Sequence, residues 1–176
     1  QLPPTVLSNE AQRGGLERSL FARLVEEGPA SGFGIAAEPV LLDEQWRMHP
    51  SISNFPNWHF YGGRIKDVAP ERSLISGVPW PMSGEHRVLL VDVGGVESKH
   101  GTSFANDAEV SAVLDLIGHV TASRAVQPEE IAILTPYQGQ KRLIQHAFAH
   151  RAWEDDLLGS VRIATVDGFQ GAEVDL

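Results

Sequence analysis

The chain has 176 residues, 42% of them hydrophobic and 21% charged, enough apolar mass for the core of one domain and far from membrane or disordered compositions. A formal net charge of -9 repels polyanions at long range, which argues against tight autonomous binding of nucleic acid, with Arg13, Arg18, Arg23 and Lys141-Arg142 as local exceptions but no dense basic run. There is no cysteine for a disulfide or thiolate metal site, no apolar run of about 18 residues and no signal-peptide pattern, so the expectation is a soluble cytoplasmic or nuclear protein with no membrane partner.

Gln1-Leu2-Pro3-Pro4 is extended by proline geometry and begins abruptly, as a segment cut from a larger protein would. Leu16, Leu20, Phe21, Leu24 and Val25 recur at helical spacing and predict a helix over Leu16 to Glu27, stopped by Gly28-Pro29. Gly32-Phe33-Gly34-Ile35-Ala36-Ala37 fits G-x-G-x-x-A on paper, but it follows a helix end rather than a strand and reads as a loop. Pro39 to Leu42 predicts a buried strand that delivers Asp43-Glu44-Gln45-Trp46-Arg47-Met48-His49-Pro50 at its carboxyl end.

His49 is expected to lock the turn at Pro50, which opens an aromatic-rich helix over Ser51 to Tyr61, ended by Gly62-Gly63. An irregular connection carrying Pro70, Pro79 and Pro81 then runs to Gly84. Val88 to Val93 is a continuous apolar run, as expected of a strand covered on both faces, and Gly101 to Ala105 reads as a loop. Asn106 with Glu109 resembles a capping box for a helix through Val110, Val113, Leu114 and Ile117. A strand over Ile131 to Leu134 ends in Thr135-Pro136-Tyr137, a helix follows over Gln140 to Phe148, and a strand over Val161 to Val166 runs into Asp167-Gly168-Phe169-Gln170-Gly171. Such alternation predicts an α/β fold with a mostly parallel sheet and helices on both faces.

Three strand ends then share one edge, offering the Arg47 guanidinium, hydroxyls, amides, a carboxylate and the N–H groups of Gly168 to Gly171 at a helix start, an inventory that suits a phosphorylated ligand. The plainer alternative is that these clusters cap strands and that Arg47 pairs with Asp43 or Glu44 on the surface. Other chemistries have less behind them. His146 and His150 share a helix face without an H-E-x-x-H pattern, Ser76 and Ser103 lack a nucleophile elbow, and Glu129-Glu130 and Asp155-Asp156 read as surface acids.

Leu42 to Pro50, followed by Phe55-Pro56 and Phe60-Tyr61, resembles motif IV of superfamily 1 helicases of the up-frameshift and senataxin type. Thr135-Pro136-Tyr137-Gln138-Gly139-Gln140 resembles the family's TPY-x-GQ segment, Ala164 to Asp175 its motif V, Gln1 to Pro4 the tail of its motif III, and Gly101-Thr102-Ser103 with Asn106 and Glu109 a further segment. The resemblance implies a RecA-like, P-loop NTPase-type three-layer fold, with residues 1–176 forming the second RecA-like domain, incomplete at both ends. It implies half of an ATP-driven motor moving 5′ to 3′ along a single nucleic-acid strand, RNA in preference to DNA. The magnesium ligands and the phosphate loop are then expected in the first RecA-like domain of the same polypeptide, so the fragment alone should not hydrolyse ATP.

The same resemblance implies roles. Arg47 would reach the γ-phosphate across the cleft and Gln1 would sense it. Trp46 would stack on adenine where the family usually has tyrosine, with Gln45, Gln170, Gly171 and Glu173 near the nucleotide. Thr135, Pro136, Tyr137 and Thr165 would meet the nucleic-acid backbone, and no metal ligands are assigned within this chain. Ala172 departs from the basic or polar residue often found at its position. The alternative is a non-catalytic, degenerate helicase module kept for binding nucleic acid or protein partners.

Overall fold

The computed structural model describes residues 6–28, 39–70, 73–80, 86–150 and 160–174. Two short helices come first, α1 (Asn9–Arg13) and α2 (Leu20–Glu27). The helix expected from Leu16 starts at Leu20 because Ser19 lies in extended backbone and its hydroxyl accepts from the Ala22 N–H at 3.1 Å, which fixes the amino-terminal cap there. The stretch Gly32 to Ala37 lies outside the described residues.

A parallel ladder joins β1 (Glu44–Gln45) to β2 (Lys66–Asp67) across helix α3 (Pro50–Tyr61). The strand expected over Pro39 to Leu42 is not formed. Val40 and Leu42 are 86% and 84% exposed, and pairing begins only where the Lys66 N–H reaches the Asp43 carbonyl and the Val68 N–H that of Gln45. α3 starts as expected, with the His49 Nδ1 accepting from the Ser51 N–H at 3.2 Å and Pro50 in the first turn. Gly62 ends it in the left-handed region, at φ 60°.

Gly101 to Ala105, expected as a loop, belongs to an antiparallel hairpin of β3 (Ser98–His100) and β4 (Ser103–Ala105), turned at Gly101 with φ 65°. α4 (Asp107–Ala122) follows, its first turn capped by the Asn106 carboxamide oxygen. Then β5 (Ala132–Thr135), α5 (Gln138–His150) and β6 (Arg162–Thr165) make a second parallel β-α-β unit, in register from Ala132 opposite Arg162 to Thr135 opposite Thr165. The core lies here, formed by Val110, Leu114, Ile117 and Val120 of α4, Ile144 of α5, Ile133 of β5 and neighbouring Val126, Ile131 and Val161.

The chain is thus α/β with parallel pairing. Among the described residues, however, the single mostly parallel sheet is replaced by three two-stranded ladders, two parallel and one antiparallel. The apolar run Val88 to Val93 explains the difference: it joins no ladder, Leu90 stays 92% exposed, and among the described residues no strand bridges the β1–β2 pair to β5–β6. No helix among the described residues is long and apolar enough to cross a membrane.

Candidate nucleotide and nucleic-acid site

The Gln45 side chain builds the turn that presents Trp46 and Arg47. Its carbonyl oxygen accepts from the N–H groups of Arg47 and Met48 at 3.0 and 2.7 Å, and its NH2 donates to the Met48 carbonyl and to the Asp67 carboxylate, each at 2.6 Å. That carboxylate also accepts from the hydroxyl of buried Ser53 at 2.6 Å, so β1, β2 and α3 together fix the turn. With the backbone held from inside, Trp46 stands 66% exposed and the Arg47 side chain 67% exposed.

Arg47 does not pair with Asp43 or Glu44. Its Nε donates to Oε2 of Glu173 at 2.7 Å, linking residues 126 apart in sequence, while Asp43 is taken by the Lys66 ammonium at 2.9 Å. Hydrogen bonding to Lys66, and then its charge, hold the Asp43 carboxyl below the usual carboxylate range, and the same contact raises the Lys66 ammonium. Both ion pairs are exposed, so solvent screens them and neither anchors the fold.

Thr135 and Thr165 face each other at the last rung of β5 and β6, and both are buried. The Thr135 hydroxyl accepts from the Tyr137 N–H at 3.3 Å and the Thr165 hydroxyl from the Gly168 N–H at 3.2 Å, so each shapes the turn leaving its strand. Pro136 and Tyr137 are exposed on that edge. The helix start expected at Gly168 is a single 3-10 turn over Asp167–Phe169, held to β6 by the Arg162 guanidinium 4.7 Å above the Phe169 ring. The N–H groups of Gly168, Phe169, Gln170 and Ala172 go to Thr165, Val166, Asp167 and Phe169, so they do not form the phosphate cradle expected there. Gly171, at φ 79°, follows exposed Gln170 and redirects the chain so that Glu173 meets Arg47.

A polar lock that sequence reading did not assemble ties the hairpin to α5. The Gly139 N–H donates to the Ser103 hydroxyl at 2.9 Å, and the Asn106 N–H donates to the Gln140 carbonyl oxygen at 2.7 Å. The Gln140 NH2 returns to the Asn106 carbonyl at 3.2 Å and to Glu109 at 3.3 Å, with Gln140 and Asn106 both buried. Its two halves stand in the sequence as S-x-x-N-x-x-E and G-Q, with no local pattern that joins them. Glu130 caps the Gln127 N–H, a structural use, and Gln1, Asp155 and Asp156 lie outside the described residues. The His146 and His150 rings sit 4.1 Å apart, and among the described residues no third metal-binding side chain joins them.

A parallel β-α-β unit with polar exit turns, tied to a guanidinium presented from a separate turn, is an α/β arrangement that gathers its polar side chains at the strand ends. Residues 16–176 match the AAA domain family, and the chain belongs to that family. Its relatives include regulators of nonsense transcripts and proteins named as helicases. It is 37% identical over 180 aligned positions to the "Regulator of nonsense transcripts 1 homolog" of Drosophila melanogaster, covering all of this chain and 14% of that protein. It is 35% identical to the "ATP-dependent helicase NAM7" of Saccharomyces cerevisiae, covering 99% of this chain and 18% of that protein. To the "Probable helicase senataxin" of Mus musculus it is 35% identical, covering 99% of this chain and 7% of that protein. The chain therefore spans less than a fifth of the length of these relatives.

Proposed function

We propose that the chain is the second RecA-like domain of an ATP-driven helicase that moves 5′ to 3′ along single-stranded nucleic acid, RNA in preference to DNA, in the cytoplasm or nucleus. The observation that carries the reading is the turn over residues 45–48, where internal hydrogen bonds from Gln45 leave an indole and a guanidinium facing outward beside the loop after β6. Only the Arg47 Nε is engaged, and its two terminal nitrogens have no partner among the described residues, which fits a triphosphate approaching from outside. The exposed Trp46 ring fits the face of a purine.

ATP, when bound with Mg2+ held by the first RecA-like domain, supplies the γ-phosphoryl group whose hydrolysis drives the motor. Arg47 places fixed positive charge where negative charge accumulates in the transition state, a contribution on the order of 10³ to 10⁵ in rate for arginine fingers. Gln45 positions Arg47 through the turn, and Glu173 holds its Nε. Gln170 and Gly171 line the approach from the motif V side, and Gln1 couples the γ-phosphate to domain movement. On the sheet edge, Thr135 and Thr165 hold the exit turns, and Pro136 and Tyr137 present the surface that meets the strand backbone.

The test is strand displacement by the intact helicase on duplexes with one single-stranded tail. ATP-dependent displacement from a 5′ tail and not from a 3′ tail is expected. Displacement only from 3′ tails overturns the direction, and none from either tail overturns the motor reading.

A further inference from the structure

Between the β3–β4 hairpin and the amino-terminal half of α5 lies a cavity of about 780 Å³ whose lining includes His100, Thr102, Ser103, Gln138, Arg142 and His146. Its charge is anomalous for a protein with a net charge of -9, because one permanent cation and two imidazoles line it and no Asp or Glu does. Arg142 is exposed and pairs with no carboxylate among the described residues. A guanidinium on a concave surface without a counter-ion leaves its donor fork available to a phosphate. The His100 Nε2 lies 3.0 Å from the Ser98 hydroxyl, which orients that ring, and His146 packs on His150.

The cavity also adjoins the edge assigned to the strand. Phe104 follows Ser103 and Tyr137 precedes Gln138, and their rings meet edge to face at 5.8 Å while staying 40% and 42% exposed. A guanidinium in a concavity beside exposed aromatic rings is the combination that holds backbone and bases of single strands.

We propose that this cavity seats a phosphodiester of the single-stranded nucleic acid, with Arg142 making the ionic contact, His100 and His146 donating hydrogen bonds, and the Phe104–Tyr137 pair carrying the adjoining base. The inference rests on the helicase reading and extends the strand's path from the Thr135 and Thr165 edge onto the hairpin and α5.

The test is binding of a fluorescent oligouridine to the intact helicase, titrated at several salt concentrations. Arg142→Gln is expected to weaken binding about three- to tenfold and to reduce the salt slope by about 0.7, the loss of one single-strand phosphate contact. Arg142→Lys should keep most of the affinity, whereas Arg13→Gln, which removes the same charge on α1, should leave the slope unchanged. Wild-type affinity and slope in Arg142→Gln overturn the cavity site while leaving the helicase reading intact. Equal losses in Arg13→Gln also overturn it, by reducing the effect to net charge. If the wild-type helicase binds no strand at all, the helicase reading falls and this inference falls with it.

Discussion

Gly139→Ala tests the lock between the hairpin and α5. A Cβ at this position would lie 2.7 Å from the Phe104 carbonyl oxygen, 3.2 Å from its carbon and 3.3 Å from the Ser103 Cβ. The nearest two are backbone atoms of β4, so no rotamer change relieves the clash, and the hairpin must move off α5 by several tenths of an ångström to regain ordinary contact. Overpacking of this kind costs about 1–3 kcal/mol. The movement also loosens the Gly139–Ser103 and Gln140–Asn106 hydrogen bonds, each worth roughly 0.5–1.5 kcal/mol, while the better helix propensity of alanine returns up to about 1 kcal/mol. The net expectation is about 2–4 kcal/mol of local destabilisation, or amide exchange at least about thirtyfold faster across the hairpin and the first turn of α5. Native-state hydrogen exchange on the intact helicase measures it. Gly94→Ala, whose added Cβ meets nothing within 4 Å, serves as the control. Hairpin exchange within about threefold of wild type in Gly139→Ala would refute the steric argument.

The buried carboxamide of Gln140 satisfies both backbone groups of Asn106, so Gln140→Leu should destabilise by roughly 1–3 kcal/mol, seen as an earlier denaturant midpoint with unchanged slope; an unshifted midpoint counts against the lock. Gln45→Ala removes four hydrogen bonds from the turn that presents Arg47 and should lower strand-stimulated ATPase by on the order of 10²-fold with strand binding retained; equal loss of both would assign Gln45 a different part. The Asp43–Lys66 pair has two limbs. Asp43, lowered, contributes stability above its unfolded pKa that is lost as pH falls through the folded value, and Lys66, raised, contributes stability that is lost as pH rises through its folded value. Between about pH 5 and 9 the pair is therefore silent, and Lys66→Met should flatten both limbs of the stability profile, the acid limb by removing the partner of Asp43 and the alkaline limb by removing the titrating ammonium itself. An effect of that substitution on the slope at pH 7 would contradict the assignment.

The elements most legible in the sequence were those whose determinants are local. Asn106 caps α4, His49 and Pro50 open α3, and the β-branched run before Thr165 forms β6 close to where it was expected. The sheet was less legible, because pairing depends on partners far along the chain. The run Val88 to Val93 has strand composition without a neighbour, while the hairpin at Gly101 is set by a positive-φ turn between short polar strands that hydrophobic alternation does not mark. The partners of the candidate site were also hidden. Composition around Arg47 offers Asp43 and Glu44 as acids, and only the fold shows that Lys66 occupies Asp43 and that Glu173 comes to Arg47 instead. The glycines of the Gly168 to Gly171 stretch serve a 3-10 turn and a chain reversal rather than a phosphate cradle, because their N–H groups are mostly spent internally, which composition does not mark.

The central claim is that Arg47 acts on a nucleotide brought to it across a domain cleft, and single-turnover ATP hydrolysis by the intact helicase with Arg47→Ala tests it most directly. The account predicts ATP binding largely retained and strand-stimulated hydrolysis reduced on the order of 10³-fold or more. Hydrolysis near the wild-type rate, with ATP and strand bound normally, would contradict it.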